Sequence, residues 1–475
     1  MRVVRNYLYN AGYQVLAIIL PLITAPYISR ILGAHGVGIN AYTNSLITYF
    51  TLLASVGIGY YGNRQIAYVR ENAQKLAQTF WEIQIVKTVT TILATVIFAI
   101  FVYFYDKYTI YLWLQALNLL AVAFDVSWLY MGVEDFKRTV MRNTIVKIIS
   151  VIAIFVFVKD VNDIGVYIVI LGLGNLLGNM ILWPHLSKML TKVKFSQLKP
   201  WQHLGPSVAL FIPQIATQVY LQLNKTMLGV MIGTTASGFY QSSDNLVKMV
   251  LAIVTATGTV MLPHVSNAFA GGNHEKVNKL LYTSFDFVSA IAFPMSFGLA
   301  AISLKFAPVF YGKGFTPVGT AMMIEAIVIL FIGWSNVIGL QYLLPTNKDR
   351  AFSTSVIIGA VVNIILNVPM IYLWGLNGAM LATVLSELAV TGYQLYVIRK
   401  LVSYRKLFTN TWKYLVASFV MFGIVFFVDQ SFGMNLLNIV IEIFLGGIVY
   451  LIIIFLLKPS ILRKLDILWK DKTLM

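Results

Sequence analysis

The sequence predicts an all-α polytopic membrane protein of about 14 transmembrane helices, on three observations. Of its 475 residues, 59% are hydrophobic and 11% charged, with a mean hydropathy of +0.78, whereas soluble domains carry roughly 25% charged residues. The apolar residues fall in runs of about 18 to 25, each long enough to cross about 30 Å of hydrocarbon as a helix. The basic residues between the runs gather in alternate connections.

In chain order, runs one and two, 8–32 and 38–61, flank SRILGAHGVGINAY (29–42). Run three, 80–105, opens near Trp81-Glu82, and run four, 109–131, exits through YMGVEDFKR (130–138). Runs five and six, 142–158 and 164–186, complete a first set. Run seven, 205–232, leads through NKTMLGVMIGTTASGFY (224–240) into run eight, 240–264. Run nine, 281–304, opens near Phe285-Asp286, and run ten, 318–344, exits through YLLPTNKDR (342–350). Runs eleven and twelve, 352–373 and 377–398, end the second set, and runs thirteen and fourteen, 412–429 and 434–457, follow. The matched stretches are offset by 196, 204 and 212 residues, a drift that small loop insertions produce. They predict two six-helix lobes, 1–200 and 201–405, with 406–475 holding two extra helices and a tail. Six is even, so both repeats share one orientation, about an axis along the membrane normal.

With the N-terminus inside, 26 of the 35 basic residues face the cytoplasm and five, Arg30, Lys107, Lys159, Lys305 and Lys313, face out. The positive-inside rule then expects both termini in the cytoplasm. The net charge of +17 is spread over many short segments rather than one groove, so anionic membrane lipids, not nucleic acid, are its expected neighbours. The first run lacks a small-residue exit and holds Pro21, so it is expected as a retained helix rather than a cleaved signal. The absence of cysteine excludes disulfides, thiol catalysis and thiolate metal sites. No connection exceeds about 20 residues, and there is no Walker loop, G-x-S-x-G or H-E-x-x-H. These features predict neither an enzyme nor a cofactor.

At 100° per residue, Gln214, Gln218, Gln222 and Lys225 fall at relative angles of about 0, 40, 80 and 20°, one face of run seven. Run two aligns Asn44, Thr48, Thr51 and Ser55; run eight Asp244, Lys248, Thr255 and Thr259; run one Asn10, Gln14 and Thr24. A polar stripe serves either interhelical hydrogen bonds, about 0.6 kcal/mol each, or a hydrated cavity. Four stripes at repeat-related positions favour the cavity. A small cation needs a few oxygens, whereas a glycan has many hydroxyls, each costing about 2–7 kcal/mol if buried unpaired. An amide- and hydroxyl-lined cleft suits the glycan.

Charges inside spans are costly and are functional candidates. Lys225 and Lys248 are candidates for an anionic phosphate, with Asp244 or Glu325 tuning them; the alternative is a self-neutralising cluster. Glu387, near the middle of run twelve, is a candidate proton or sodium site, or else a protonated side chain bonded to a neighbouring helix. Asp125 and Lys147 read as a structural ion pair, Glu82 and Asp286 as interfacial, and Arg30 and Arg64 as anchors at span ends that also border the expected cavity. The five histidines show no metal spacing.

ITAPYISRILGAHGVG (23–38), YYGNRQIAYVRE (60–71), DVSWLYMGVEDFKR (125–138), NKTMLG (224–229), KMVLAIVTATGTVMLPHVSNAFAGG (248–272) and LLPTNKDRAF (343–352) together resemble the polysaccharide repeat-unit flippases of the Wzx or RfbX type. That family lies in the multidrug/oligosaccharidyl-lipid/polysaccharide exporter superfamily. The resemblance implies a MATE-like fold in a bacterial plasma membrane. It also implies alternating-access movement of undecaprenyl-pyrophosphate-linked oligosaccharide to the outer face, for capsule, exopolysaccharide or O-antigen assembly, with a polysaccharide polymerase and chain-length proteins as partners. Relatives resemble Leu-Asp-Lys-Thr-Met-Leu-Gly where this chain has Leu223-Asn224-Lys225, so a carboxylate beside the lysine is missing. The rival expectation is a proton- or sodium-coupled multidrug antiporter of the same fold.

Overall fold

The computed structural model describes residues 2–433 and 435–462. The side chains of residues 2–11, 13–15, 17–18, 212–214, 216–217, 257–260 and 262–263 fall outside that description. Asn10, Gln14, Gln214 and Thr259 are among these, and Arg463, Lys464, Lys470 and Lys472 also lie outside the described residues.

Among the described residues every regular element is a helix. Each of the expected runs falls on helix, and two long helices hold two runs apiece: α1 (Arg2–Ser55), broken at Gly33, and a 50-residue helix Asp349–Ile398, broken at Gly375. Eight described helices are long and apolar enough to cross a membrane, or nine with the bent pair Lys313–Glu325 and Val328–Leu343 taken as one span. Runs one, two, seven and eight, which carry the polar stripes, are not among those eight.

The chain divides into two compact units, Met1–Gly238 and Phe239–Met475. The first holds α1, α2 (Ile58–Val69), α3 (Ala73–Phe104), α4 (Thr109–Phe124), α5 (Ser127–Gly132), α6 (Phe136–Phe157), α7 (Ile164–Met180) and α8 (Leu204–Met231). There α1 packs on α3, α4 and α6, and α4 packs on α7. A core of Tyr61, Phe80, Trp128 and Leu129 joins α2, α3 and α5, with Phe80 and Trp128 stacked 5.5 Å apart. Helix α9 (Thr234–Thr255) crosses the unit boundary and continues into α10 (Thr257–Ala270). The second unit is built around α11 (His274–Tyr311), which packs against α10, α12 (Thr316–Glu325), α13 (Val328–Ser335), α16 (Thr411–Ser431) and α17 (Leu436–Leu457). Helix α14 is Asp349–Ile398 and α15 is Tyr404–Leu407.

Local backbone chemistry recurs at the repeat spacing. Gly33 breaks α1 at φ 66°, and Gly233 separates α8 from α9 at φ 135°, a region that L side chains avoid. Sequence matching pairs Gly33 with Gly229; the break sits instead at Gly233, four residues on. The second helix of each set stops again, at Val56-Gly57 and at Ala256. Asn72 caps α3 by accepting from Lys75 N at 3.0 Å, and Asn273 caps α11 by accepting from Lys276 N at 2.9 Å. The two motif-matched exits make one turn: Asp135 N donates to Tyr130 O at 2.8 Å and Lys348 N to Leu343 O at 2.9 Å, around left-handed Glu134 (φ 60°) and Asn347 (φ 59°).

Candidate functional site

In the first unit a cavity of about 700 Å3 opens among α1 to α7, within the range of about 300–1,000 Å3 usual for small-molecule sites. Its wall on α1 is the expected stripe: Asn44, Thr48, Thr51 and Ser55. The hydroxyls bond back to their own helix, Thr48 Oγ1 to Asn44 O at 2.6 Å, Thr51 Oγ1 to Thr48 O at 2.9 Å and Ser55 Oγ to Leu52 O at 2.9 Å. Each donor is thereby satisfied, and the oxygen lone pairs stay available to a guest.

The other walls come from residues the stripe argument did not reach. Asn118 on α4, Asn143 and Arg142 on α6, Asn175 and Asn179 on α7, and Asn63 on α2 line the same space. Side-chain amides form a chain that runs from two wall residues, Asn175 and Asn118, to Gln115 and Asn40 behind the wall. Asn175 Nδ2 donates to Asn118 Oδ1 at 3.0 Å, Asn118 Nδ2 to Gln115 Oε1 at 2.9 Å, and Gln115 Nε2 to Asn40 Oδ1 at 3.2 Å. Arg142, counted by sequence with a cytoplasmic connection, lines the cavity and donates to Asn179 Oδ1 at 2.7 Å and from Nε to Asn143 Oδ1 at 2.9 Å. A signal was present in the sequence: Gln115 and Asn118 are three apart and Asn175 and Asn179 four apart, so each pair shares a helix face. Single pairs in such apolar helices do not make a stripe.

At the cavity wall Asp125 has Lys87 as its ion-pair partner, Nζ to Oδ2 3.2 Å, where the sequence suggested Lys147. Asp125 ends α4, and its Oδ1 accepts from Ser127 N at 3.0 Å, so it satisfies the first backbone N–H of α5 as well as holding the lysine. Glu82, expected at an interface, is buried at 2% exposure. It accepts from Gln78 Nε2, Lys199 N and Gln202 Nε2, each at 2.9 Å, and His203 Nε2 lies 2.8 Å away. Tyr61 OH meets the other ring nitrogen of His203 at 2.7 Å. This cluster fixes the chain just before α8. The matched acid of the second unit, Asp286, acts alike just before α16, accepting from Asn410 Nδ2 at 3.0 Å and Tyr414 OH at 2.9 Å.

Lys225 is buried, and its carbonyl accepts from Ser237 Oγ at 2.8 Å. Gln218 and Gln222 on α8 are half-buried. Arg30 and Arg64 are exposed, Arg64 over the Tyr61 ring at 5.9 Å. In the second unit Lys248 Nζ pairs with Asp244 Oδ2 at 2.7 Å, its side chain 45% exposed. Ser243 Oγ donates to buried Glu325 at 2.6 Å. Glu325 and buried Glu387 both lie within electrostatic reach of Lys248. One lysine is thus set among three carboxyl groups.

The family described as "Polysaccharide biosynthesis protein" matches residues 3–269, more than half of the chain. The chain belongs to that family. Within it, similarity extends to a protein of Escherichia coli (strain K12) named "Putative O-antigen transporter", 24% identical over 400 residues, covering 83% of this chain and 96% of the relative. Among solved structures, the inward closed conformation of the lipid II flippase MurJ aligns over 96% of this chain and all of its own, with TM-score 0.74 and 16% identity. The inward-facing conformation of a multidrug resistance MATE family transporter aligns over 80% of this chain and 94% of its own, with TM-score 0.62 and 12% identity. The protein has the all-α, MATE-like fold of a multi-pass membrane protein, and the family resemblance drawn from its motifs holds.

Proposed function

We propose that this protein is a flippase that carries a lipid-linked oligosaccharide from the inner to the outer face of a bacterial plasma membrane by alternating access. Its substrate in this reading is an undecaprenyl-pyrophosphate-linked repeat unit for capsule, exopolysaccharide or O-antigen assembly. The observation that carries the reading is the amide-lined cavity of the first unit. A carboxamide both donates and accepts, as a sugar hydroxyl does, and it adds no net charge. The amides of Asn44, Asn63, Asn118, Asn143, Asn175 and Asn179 on the cavity wall offer several such partners to one guest. Family membership and the O-antigen transporter relative support the same substrate class. Lys225 and Lys248 are assigned to the pyrophosphate. An anion leaving the cytoplasm is driven outward by an inside-negative potential and gains about 2.3 kcal/mol per charge per 100 mV, which favours export.

The test is transfer of labelled lipid-linked oligosaccharide across vesicles holding the purified protein. Asn175→Leu is expected to lower the rate about tenfold, the consequence of about 1.4 kcal/mol from a guest hydroxyl losing its partner. Lys225→Ala and Lys248→Ala are expected to slow transfer at unchanged membrane levels; normal rates in both would remove the phosphate assignment. A second reading, an ion-coupled multidrug antiporter, draws on the carboxyl groups Asp244, Glu325 and Glu387 around Lys248. It requires sodium- or proton-dependent drug efflux that Glu325→Gln or Glu387→Gln abolishes.

A further inference from the structure

The last two helices hold a charged group that the cavity does not use. Glycine at 446 lets α17 approach α16 closely, because a Cβ there would lie 3.1 Å from Val425 Cγ2 and 3.6 Å from Met421 Cγ. One turn nearer the connection between the helices, the same antiparallel register sets Asp429 of α16 beside Glu442 of α17. Both are 1% exposed. Lys305 of α11 completes the group, its Nζ 4.0 Å from Asp429 Oδ2 and 2.7 Å from Phe432 O, to which it donates. Apart from each other, Asp429 and Oε2 of Glu442 have no hydrogen-bond partner among the described residues. Glu442 also forms part of the wall of an apolar cavity of about 540 Å3 lined mainly by α11, α16 and α17, with Val250 of α9.

The ionisable groups that face one another here are Lys305, Asp429 and Glu442, one from each of the three packed helices. Fully ionised they leave one net negative charge against apolar surface, and two carboxylates sharing a site repel. A single proton between the carboxyl groups supplies the missing donor and cancels the charge against Lys305. We propose that Asp429 and Glu442 form a single-proton exchange site in the α16–α17 pair, charge-balanced by Lys305. Its two carboxyl groups lie on the helices that follow the two six-helix sets, with Lys305 on α11 of the second, and the site stands independently of the flippase reading.

Infrared difference spectroscopy tests it on the full chain in phosphatidylethanolamine–phosphatidylglycerol vesicles, with no substrate present. The expected result is a protonated-carboxyl band that disappears on alkaline titration in potassium buffer. Asp429→Asn and Glu442→Gln should each remove that band, since either leaves one carboxylate balanced by Lys305. A titrating spectrum identical in wild type and both variants overturns the proposal. So does a variant-sensitive band that survives at every pH, and so does loss of the band on adding sodium at fixed pH, which marks a sodium site. Should a variant fail to fold, transfer of the wild type to D2O reads exchange directly: a shifted band that titrates supports the site, and an unshifted one overturns it.

Discussion

Among single residues, Glu82 anchors four partners. Its carboxylate meets three N–H donors from both sides of the 83–198 segment and the His203 ring, all in a buried setting. Removing one partner of such a set leaves the others desolvated and unpaired, at about 1–3 kcal/mol for each group. Glu82→Ala is therefore expected to lower the stability of the purified protein by about 3 kcal/mol or more, read as a lower midpoint of thermal unfolding in detergent. Glu82→Gln, which keeps one carbonyl oxygen, should lose less; equal midpoints for Glu82→Ala and wild type would remove the anchor role. The sequence made Glu82 visible as a charge inside an apolar run, yet its partners Lys199, Gln202 and His203 lie more than 110 residues on. Nothing local in the chain links them. The cavity divides in the same way: the α1 wall was legible because four polar residues repeat on one helix face, whereas the α4, α6 and α7 walls are assembled by packing.

At the scale of elements, the two caps allow a paired experiment. Asn72 and Asn273 each accept from the backbone N–H three residues on, at the starts of α3 and α11. An N-cap asparagine replaced by alanine costs about 1 kcal/mol. Asn72→Ala and Asn273→Ala should each destabilise the protein by that amount, with additive effects in the double variant because the caps share no partner. Chemical unfolding of the three variants checks this; a cost at one cap only would show that the repeat no longer distributes the work evenly. Helix runs were legible because apolar length alone dictates them. Their breaks were less so. Gly33 and Gly233 interrupt helices through backbone dihedrals that glycine permits, but the Val56-Gly57 break also depends on α8, where Ser207 Oγ donates to Val56 O at 2.5 Å. A contact between residues 151 apart leaves no periodic trace in the sequence.

For the whole molecule the charge distribution supplies the expected orientation. Basic side chains resist transfer across the bilayer during insertion, so connections rich in Lys and Arg stay on the cytoplasmic side. The linker carrying Lys188, Lys192, Lys194 and Lys199 and the one carrying Arg399, Lys400, Arg405 and Lys406 are such connections, whereas those at Lys159 and Lys313 hold few basic residues. If each repeat crosses six times, the two basic linkers must share one face and the two poor ones the other. The chain contains no cysteine, so a single introduced thiol reports without background. Asp160→Cys and Lys313→Cys, both at exposed positions, should react with a membrane-impermeant maleimide in intact cells. Lys194→Cys and Arg405→Cys, also exposed, should react only after permeabilisation. Labelling of position 160 and position 194 from the same side would mean that run six does not cross, which leaves five crossings in the first repeat, and the parallel arrangement of two six-helix sets would fall with it.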